Sequence, residues 1–290
     1  MSQPAVAAEA GPAVRGTLVF SHANGFPAGT YARLFAIWRA AGWSVLAIDK
    51  YGHDPKYPVA SNWVHQRDEL IHFIERDAEQ RGHEPVCLVG HSLGGFLSLM
   101  AASRRPDLAR AVVMLDSPVL GPVLSRTVQF FKATGWGERF SPGRISKRRH
   151  QQWPSADAAL AHFASKPAFA RWEPGVLQDY IDCGMQADEQ GARLAFRREV
   201  ETQLYNTLPH HIGRLLQRHP LQCPLAFVAG TTSTEVKQVG LTTVTRLAEG
   251  RVSWLDGSHL YPFERPVDTA AEVLRWLDRI AAPHPLPNTL

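Results

Sequence analysis

The sequence predicts an α/β protein: a mostly parallel central sheet with helices on both faces, interrupted by a helical insertion. Three observations carry that prediction. Apolar, β-branched runs alternate with helical stretches over residues 15–117, the order that builds a parallel sheet covered on both faces. The hexapeptide Gly90-His91-Ser92-Leu93-Gly94-Gly95 stands between one such apolar run and a small-residue helical run. From Pro118 to Cys223 strand character fades, and it returns at Pro224.

Taken in order, Thr17-Leu18-Val19-Phe20 reads as the first strand. The turn-rich loop Ser21-His22-Ala23-Asn24-Gly25-Phe26-Pro27 follows it. Tyr31 to Ala41 has helical spacing, with Leu34, Phe35 and Trp38 on one face, and Gly42 stops it. Trp43 to Ile48 is the second strand. Asn62 to Gln80 is a long helix with Leu70, Ile71, Phe73 and Ile74 as its apolar positions. Val86-Cys87-Leu88-Val89 feeds the hexapeptide, and Phe96 to Ala102 continues as a helix. Ala111 to Leu115 is a further strand, ending at Asp116-Ser117-Pro118.

The 118–223 stretch carries helix formers and the aromatics Phe130, Phe131, Trp136, Phe140, Trp153, Phe163, Phe169, Trp172 and Tyr180. These rings line an apolar pocket, form the insertion's own core, or do both. Pro224 to Gly230 resumes the strand pattern, Val236 to Glu249 reads as helix and Arg251 to Leu255 as strand. Asp268 to Ala282 is the closing amphipathic helix. Residues 1–14, rich in Ala and Pro, read as a disordered tail and not a signal peptide, and 283–290 as a Pro-rich tail. The expected organisation is a core of 15–117 and 224–282 with 118–223 inserted.

Composition sets further bounds. Hydrophobic residues make up 44% and charged residues 20%, the balance of an ordinary globular chain. The net charge of +4 is too diffuse to argue for a nucleic-acid partner. Cys87, Cys183 and Cys223 are odd in number and lack zinc spacing, so they read as reduced thiols, with Cys87 as buried packing. No apolar stretch approaches a membrane span. The expectation is a cytoplasmic monomer or homodimer without membrane insertion.

The hexapeptide holds the pattern Gly-x-Ser-x-Gly at a strand-to-helix turn, the setting of a nucleophile elbow. The turn lifts the Ser92 oxygen clear of the backbone. Gly90 and Gly94 lack Cβ atoms and let the helix pass close to the strand. The first free N–H groups of the helix then face whatever the oxygen attacks. In a parallel sheet the loops at the carboxyl ends of the strands share one rim. That rim collects His22 to Phe26, Ser92, Asp116, the Gly230 to Glu235 loop and Gly257-Ser258-His259.

With these residues the chain resembles the α/β-hydrolase superfamily from about Gly16 to Ile280. The order Ser, acid, His matches that fold, and Gly257 to Pro266 resembles its histidine loop. The insertion stands where the superfamily places a cap. Its Lys147-Arg148-Arg149-His150-Gln151-Gln152-Trp153-Pro154-Ser155 and Phe169-Ala170-Arg171-Trp172 are similar to the cap of fungal toxin-biosynthesis and peroxisomal lipase-like hydrolases.

The resemblance implies Ser92 as nucleophile and His259 as base. It implies the N–H groups of Leu93 and Asn24 as oxyanion donors. Ala23 stands where the superfamily usually has Gly. The acid departs from the pattern, because Thr231-Thr232-Ser233-Thr234-Glu235 contains no Asp. Asp116, at the end of the preceding strand, and Glu235 are the two candidates, and a dyad with a backbone carbonyl behind His259 is the third arrangement. Asp116 otherwise reads as a residue tying down its loop, and Glu235 as a helix N-terminal acid.

The implied activity is hydrolysis of a carboxylic ester or thioester of a small apolar molecule through an acyl-enzyme, with no cofactor and no metal. C–C bond hydrolysis and perhydrolysis are alternatives on the same residues. Ser at position 92 argues against epoxide hydrolase and dehalogenase chemistry, which uses Asp there. A ligand-binding homologue without turnover is the alternative from another class. His91 reads as loop packing more than active-site hydrogen bonding, and His22 is open to either. His210 and His211 lack a third metal ligand and read as a solvated helix. Arg144, Lys147, Arg148, Arg149 and His150 read as a solvated face, or alternatively as a seat for a phosphate-bearing substrate.

Overall fold

Residues 15–133 and 143–281 of the chain are described by a computed structural model. Six strands form one parallel sheet. They are β1 (Gly16–Ser21), β2 (Trp43–Ala47), β3 (Val86–His91), β4 (Ala109–Leu115), β8 (Leu225–Gly230) and β9 (Val252–Leu255). Their order across the sheet is β2-β1-β3-β4-β8-β9. β3 and β8 are buried along their whole length, as near-continuous apolar strands in a doubly covered sheet must be.

The period-two alternation of each strand divides the core into two layers. On one face Leu18, Phe20, Val89, Val113 and Val228 pack with α1 (Ala32–Ala40) and the closing helix (Pro266–Ile280). On the other, Val19, Leu88, Val112, Met114 and Phe227 pack with α2 (Val64–Arg81) and α3 (Leu93–Arg104). Leu34, Phe35 and Trp38 are the buried side of α1, as their spacing predicts.

Three departures from the sequence reading have local causes. α2 begins at Val64 instead of Asn62, because Asn62 and Trp63 hold φ of 62° and 55°. Tertiary bonds fix them there: the Trp63 indole donates to the Leu204 carbonyl, and Asn62 Oδ1 accepts from the His210 amide. The helix expected over Val236 to Glu249 is two, Thr234–Val239 and Thr242–Leu247, broken at Gly240 with φ of 77°.

The third departure lies in the 118–223 insertion, which joins the adjacent strands β4 and β8 and is not purely helical. It carries an antiparallel sheet of β5 (Gln152–Trp153), β6 (Met185–Asp188) and β7 (Gly191–Leu194), ordered β5-β7-β6. The hairpin Met185 to Leu194 alternates over only four residues in each strand, too short a run to stand out, and its pairing reveals it.

The helices of the insertion are α4 (Pro122–Ala133), α5 (Gly143–Ser146), α6 (Ala156–Ala164), α7 (Val176–Gly184), α8 (Arg198–Asn206) and α9 (Ile212–Arg218). Trp153, Phe163, Trp172 and Tyr180 are buried and join the same core layer as Phe20, whereas Phe130 is exposed. Trp136, Phe140 and both tails lie outside the described residues. Cys87 is buried, and all three cysteines are unpaired.

Phe20 is fully buried in this core, with the rings of Tyr31, Phe35 and Trp38 at 4.6, 5.3 and 5.8 Å. Phe20→Ala is expected to destabilise the fold by about 3–5 kcal/mol. The check is a lower urea midpoint with an unchanged m-value.

Candidate active site

Ser92 ends β3 and caps α3 with φ of 53° and ψ of −115°, a conformation disfavoured for an L-residue. The glycines around it explain how the turn fits. A Cβ at Gly90 would lie 2.2 Å from the Gly94 carbonyl carbon, and one at Gly94 would lie 1.9 Å from the Ser21 carbonyl oxygen. Neither neighbour is a flexible side chain, so only hydrogen fits. The Ser92 amide donates to the Leu115 carbonyl at 2.9 Å, and Ser117 Oγ donates to the Ser92 carbonyl at 2.8 Å. The tip of β4 thereby holds the strained residue from behind.

His259 arrives from the loop after β9. Its Nε2 lies 3.0 Å from Ser92 Oγ, and its Nδ1 lies 2.7 Å from Asp116 Oδ2. An ionised carboxylate only accepts, so Nδ1 carries the proton and Nε2 is free to accept the serine hydroxyl. Asp116 is fully buried at φ of 47°. Its Oδ1 accepts from the Gly230 amide at 2.7 Å and its Oδ2 from the Ser233 hydroxyl at 2.5 Å. Ser233 also caps the helix Thr234–Val239, accepting from the Val236 amide.

Glu235 Oε2 stands 3.7 Å from His259 Nδ1 and accepts from Thr234 Oγ1 at 2.9 Å. Of the two candidate acids, the geometry therefore brings Asp116 into hydrogen bonding with the ring and leaves Glu235 just beyond it. Burial opposes a charge on His259. The hydrogen bond to Asp116 and the charges of Asp116 and Glu235 outweigh it and lift the ring above its ordinary value of 6.5. Asp116, Glu235 and His259 also have ligand atoms close enough to share a cation, but a metal at Nδ1 would displace the proton that Asp116 accepts.

Leu93 opens α3, where an N–H has no intrahelical acceptor. Asn24 lies in the loop after β1. Neither amide has an acceptor among the described residues. The Asn24 side chain is anchored separately: its Nδ2 donates to the Glu201 carbonyl of α8 at 3.0 Å.

His91 is not simple loop packing. Its Nε2–H donates to the His259 carbonyl at 2.8 Å, and its Nδ1 accepts from the Tyr31 hydroxyl at 2.8 Å. The Tyr31 oxygen in turn accepts from the Ala23 amide at 3.1 Å. One chain of bonds thus ties the loop after β1, the elbow and the His259 loop. Burial and the neighbouring His259 hold His91 well below the usual imidazole range, so it stays neutral. His22 is likewise buried and neutral, lowered to about 4 chiefly by burial. Its Nδ1–H donates to the Ala23 carbonyl, and its Nε2 accepts from the Tyr51 amide.

Two further supports escape a reading of the sequence. The Glu264 carboxylate accepts from the Ser258 amide at 2.9 Å and the Ser258 hydroxyl at 2.6 Å, clamping the residue before His259. The only signal is its place five residues after that histidine. Arg149 leaves the basic run and turns inward, donating to both Glu201 oxygens at 3.2 and 3.0 Å and to the Tyr180 hydroxyl at 2.9 Å. Arg144, Lys147, Arg148 and His150 remain exposed, as a solvated face requires.

Comparison with known proteins agrees with this architecture. Residues 18–273 match the model of the alpha/beta hydrolase family. The sn-1-specific diacylglycerol lipase ABHD11 of Mus musculus is 26% identical over 224 residues, covering 73% of this chain and 64% of the lipase. The chain therefore spans less than two thirds of that relative.

Among solved structures, E-2-(acetamidomethylene)succinate hydrolase superposes with a TM-score of 0.72 at 22% identity, covering 92% of this chain and 93% of that one. The peroxisomal alpha-beta-hydrolase Lpx1 of Saccharomyces cerevisiae superposes at 0.70 with 15% identity, covering 98% and 82%. At such identities these likenesses speak to fold alone. With the family model matched from the first strand into the closing helix, the chain belongs to the alpha/beta hydrolase family.

Proposed function

We propose that the chain is a serine hydrolase that cleaves a carboxylic ester or thioester of a small apolar molecule through an acyl-enzyme. The observation that carries this reading is the unbroken line from Asp116 through His259 to the Ser92 oxygen, beside the open amides of Leu93 and Asn24. In the proposed first step His259 Nε2 takes the Ser92 proton as the oxygen attacks the substrate carbonyl. The Leu93 and Asn24 N–H groups receive the negative charge that develops on the carbonyl oxygen. Collapse breaks the bond to the leaving group, which takes the proton back from His259. Water, deprotonated by the same ring, then releases the acid and restores Ser92.

Asp116 holds the tautomer this cycle needs, and its own oxygens are held by Gly230 and Ser233. The insertion is proposed to act as a cap over the site, with its aromatic residues favouring an apolar acyl or alcohol portion and excluding water. The mouse relative is a diacylglycerol lipase, which supports the ester reading. No helix of the described residues is long and apolar enough to cross a membrane. A cytoplasmic location is proposed separately, from the reading of the three cysteines as reduced thiols.

A fluorophosphonate probe is expected to label the wild-type chain and not Ser92→Ala; undiminished labelling of the variant would defeat the reading. With p-nitrophenyl esters, Asp116→Asn is expected to lower kcat by about 10⁴, the loss that follows an incorrectly held imidazole.

Catalysis requires a neutral His259, and its neighbours raise its pKa. kcat/KM should therefore fall as pH decreases, through a midpoint above 6.5. Glu235→Gln removes one raising charge, so that midpoint should move to lower pH. The displacement should shrink with added salt, because Glu235 is 43% exposed. A midpoint that moves upward in this variant would refute the assignment.

A further inference from the structure

At the far end of α3 from Ser92, a cavity of about 380 Å³ opens between α2, α3 and α9. The length of α3 puts it roughly 18 Å from the elbow, at 1.5 Å per residue. Arg67, Arg104, Arg214, Arg218, His211 and His219 line it, with Val64 and Leu215 as the apolar floor, and no carboxylate is among the lining residues. Three separate helices and their flanks thus contribute four arginines to the lining of one concavity.

The local pairing leaves this charge largely uncompensated. Arg67 shares the neighbouring Asp68 carboxylate at 2.8 and 2.7 Å. Arg104 donates to His219 Nε2 at 2.9 Å and not to a carboxylate. Arg214 and Arg218 stand one helical turn apart on α9, exposed and with no carboxylate partner among the described residues. Like charges at that spacing repel, although Arg218, in the last turn, complements the helix dipole.

His210 and His211 are not a solvated helix either; they form the turn before α9 and are partly buried. The His211 Nδ1 atom is buried without a hydrogen-bond partner. Burial, with His210, Arg67, Arg214 and Lys132 nearby, lowers that ring to about 4 and keeps it neutral.

We propose that this cavity binds a small phosphorylated anion, a phosphomonoester or pyrophosphate group held by the arginine forks. A compact group with several negative oxygens satisfies convergent guanidiniums better than a single carboxylate, because each fork takes two oxygens. The volume falls at the low end of small-ligand sites. The site is independent of the hydrolytic reading and uses none of its residues.

The test is calorimetric titration of the full chain with inorganic pyrophosphate at low ionic strength, with thermal unfolding as the control for folding. Saturable binding is expected. It should weaken by at least about tenfold in Arg214→Gln/Arg218→Gln, because charge-assisted bonds are lost. It should be unchanged in Ser92→Ala and Arg279→Gln. Both cavity arginines are exposed, so the melting temperature of the double variant should match the wild type. Absence of saturable binding, or equal affinity in the double variant, would overturn the proposal. Cosedimentation with phosphatidylcholine vesicles containing phosphatidylinositol bisphosphate, lost in the double variant, would assign the anion to a lipid headgroup. Pyrophosphate binding without cosedimentation would assign it to a soluble ligand.

Discussion

Two backbones pass at the elbow more closely than any side chain permits. The hypothetical Cβ of Gly94 falls 1.9 Å from the Ser21 carbonyl oxygen, and that of Gly90 falls 2.2 Å from Gly94 itself. This contact sets the position of α3 against β1 and β3, and with it the left-handed turn at Ser92. It also decides where the two open amides stand. Leu93 belongs to the helix that is pressed down, and Asn24 belongs to the loop that leaves the strand it is pressed against. Both donors of the proposed oxyanion site therefore share one rigid reference.

The imidazole is fixed by a second set of constraints, centred on the carboxylate at the tip of β4. Asp116 is saturated by Gly230, Ser233 and His259, so its carboxylate has one orientation. Glu264 grips Ser258, one residue before the ring. His91 then joins the two halves, reaching the His259 carbonyl on one side and Tyr31 on the other. A buried network of this kind stays ordered because each member has its partners.

Much of this was legible in the sequence, and the unread part has a common cause. The alternation of strands and helices and the elbow are local patterns, and they read correctly as an alpha/beta hydrolase fold. The choice between Asp116 and Glu235 is not local. It turns on about an ångström of separation, 2.7 against 3.7 Å, between side chains brought together from different loops. The same holds for Arg149, which sits in a basic run by sequence and beside Glu201 in space. Asn62 and Trp63 have an ordinary helical context, and only the bonds to His210 and Leu204 pull them out of it. The hairpin Met185 to Leu194 failed to announce itself because each of its strands is only four residues long, the lower limit at which an alternation can be read.

The hydrogen bond from Asn24 to the Glu201 carbonyl couples regions that are far apart in the chain. α8 belongs to the insertion, yet it holds the loop that carries one of the two amides of the proposed oxyanion site. Shifting that helix would leave the alcohol and the imidazole in contact while loosening one donor. Such a molecule would still react with a trapping electrophile, and it would be a poor accelerator of a substrate whose charge must be caught in flight.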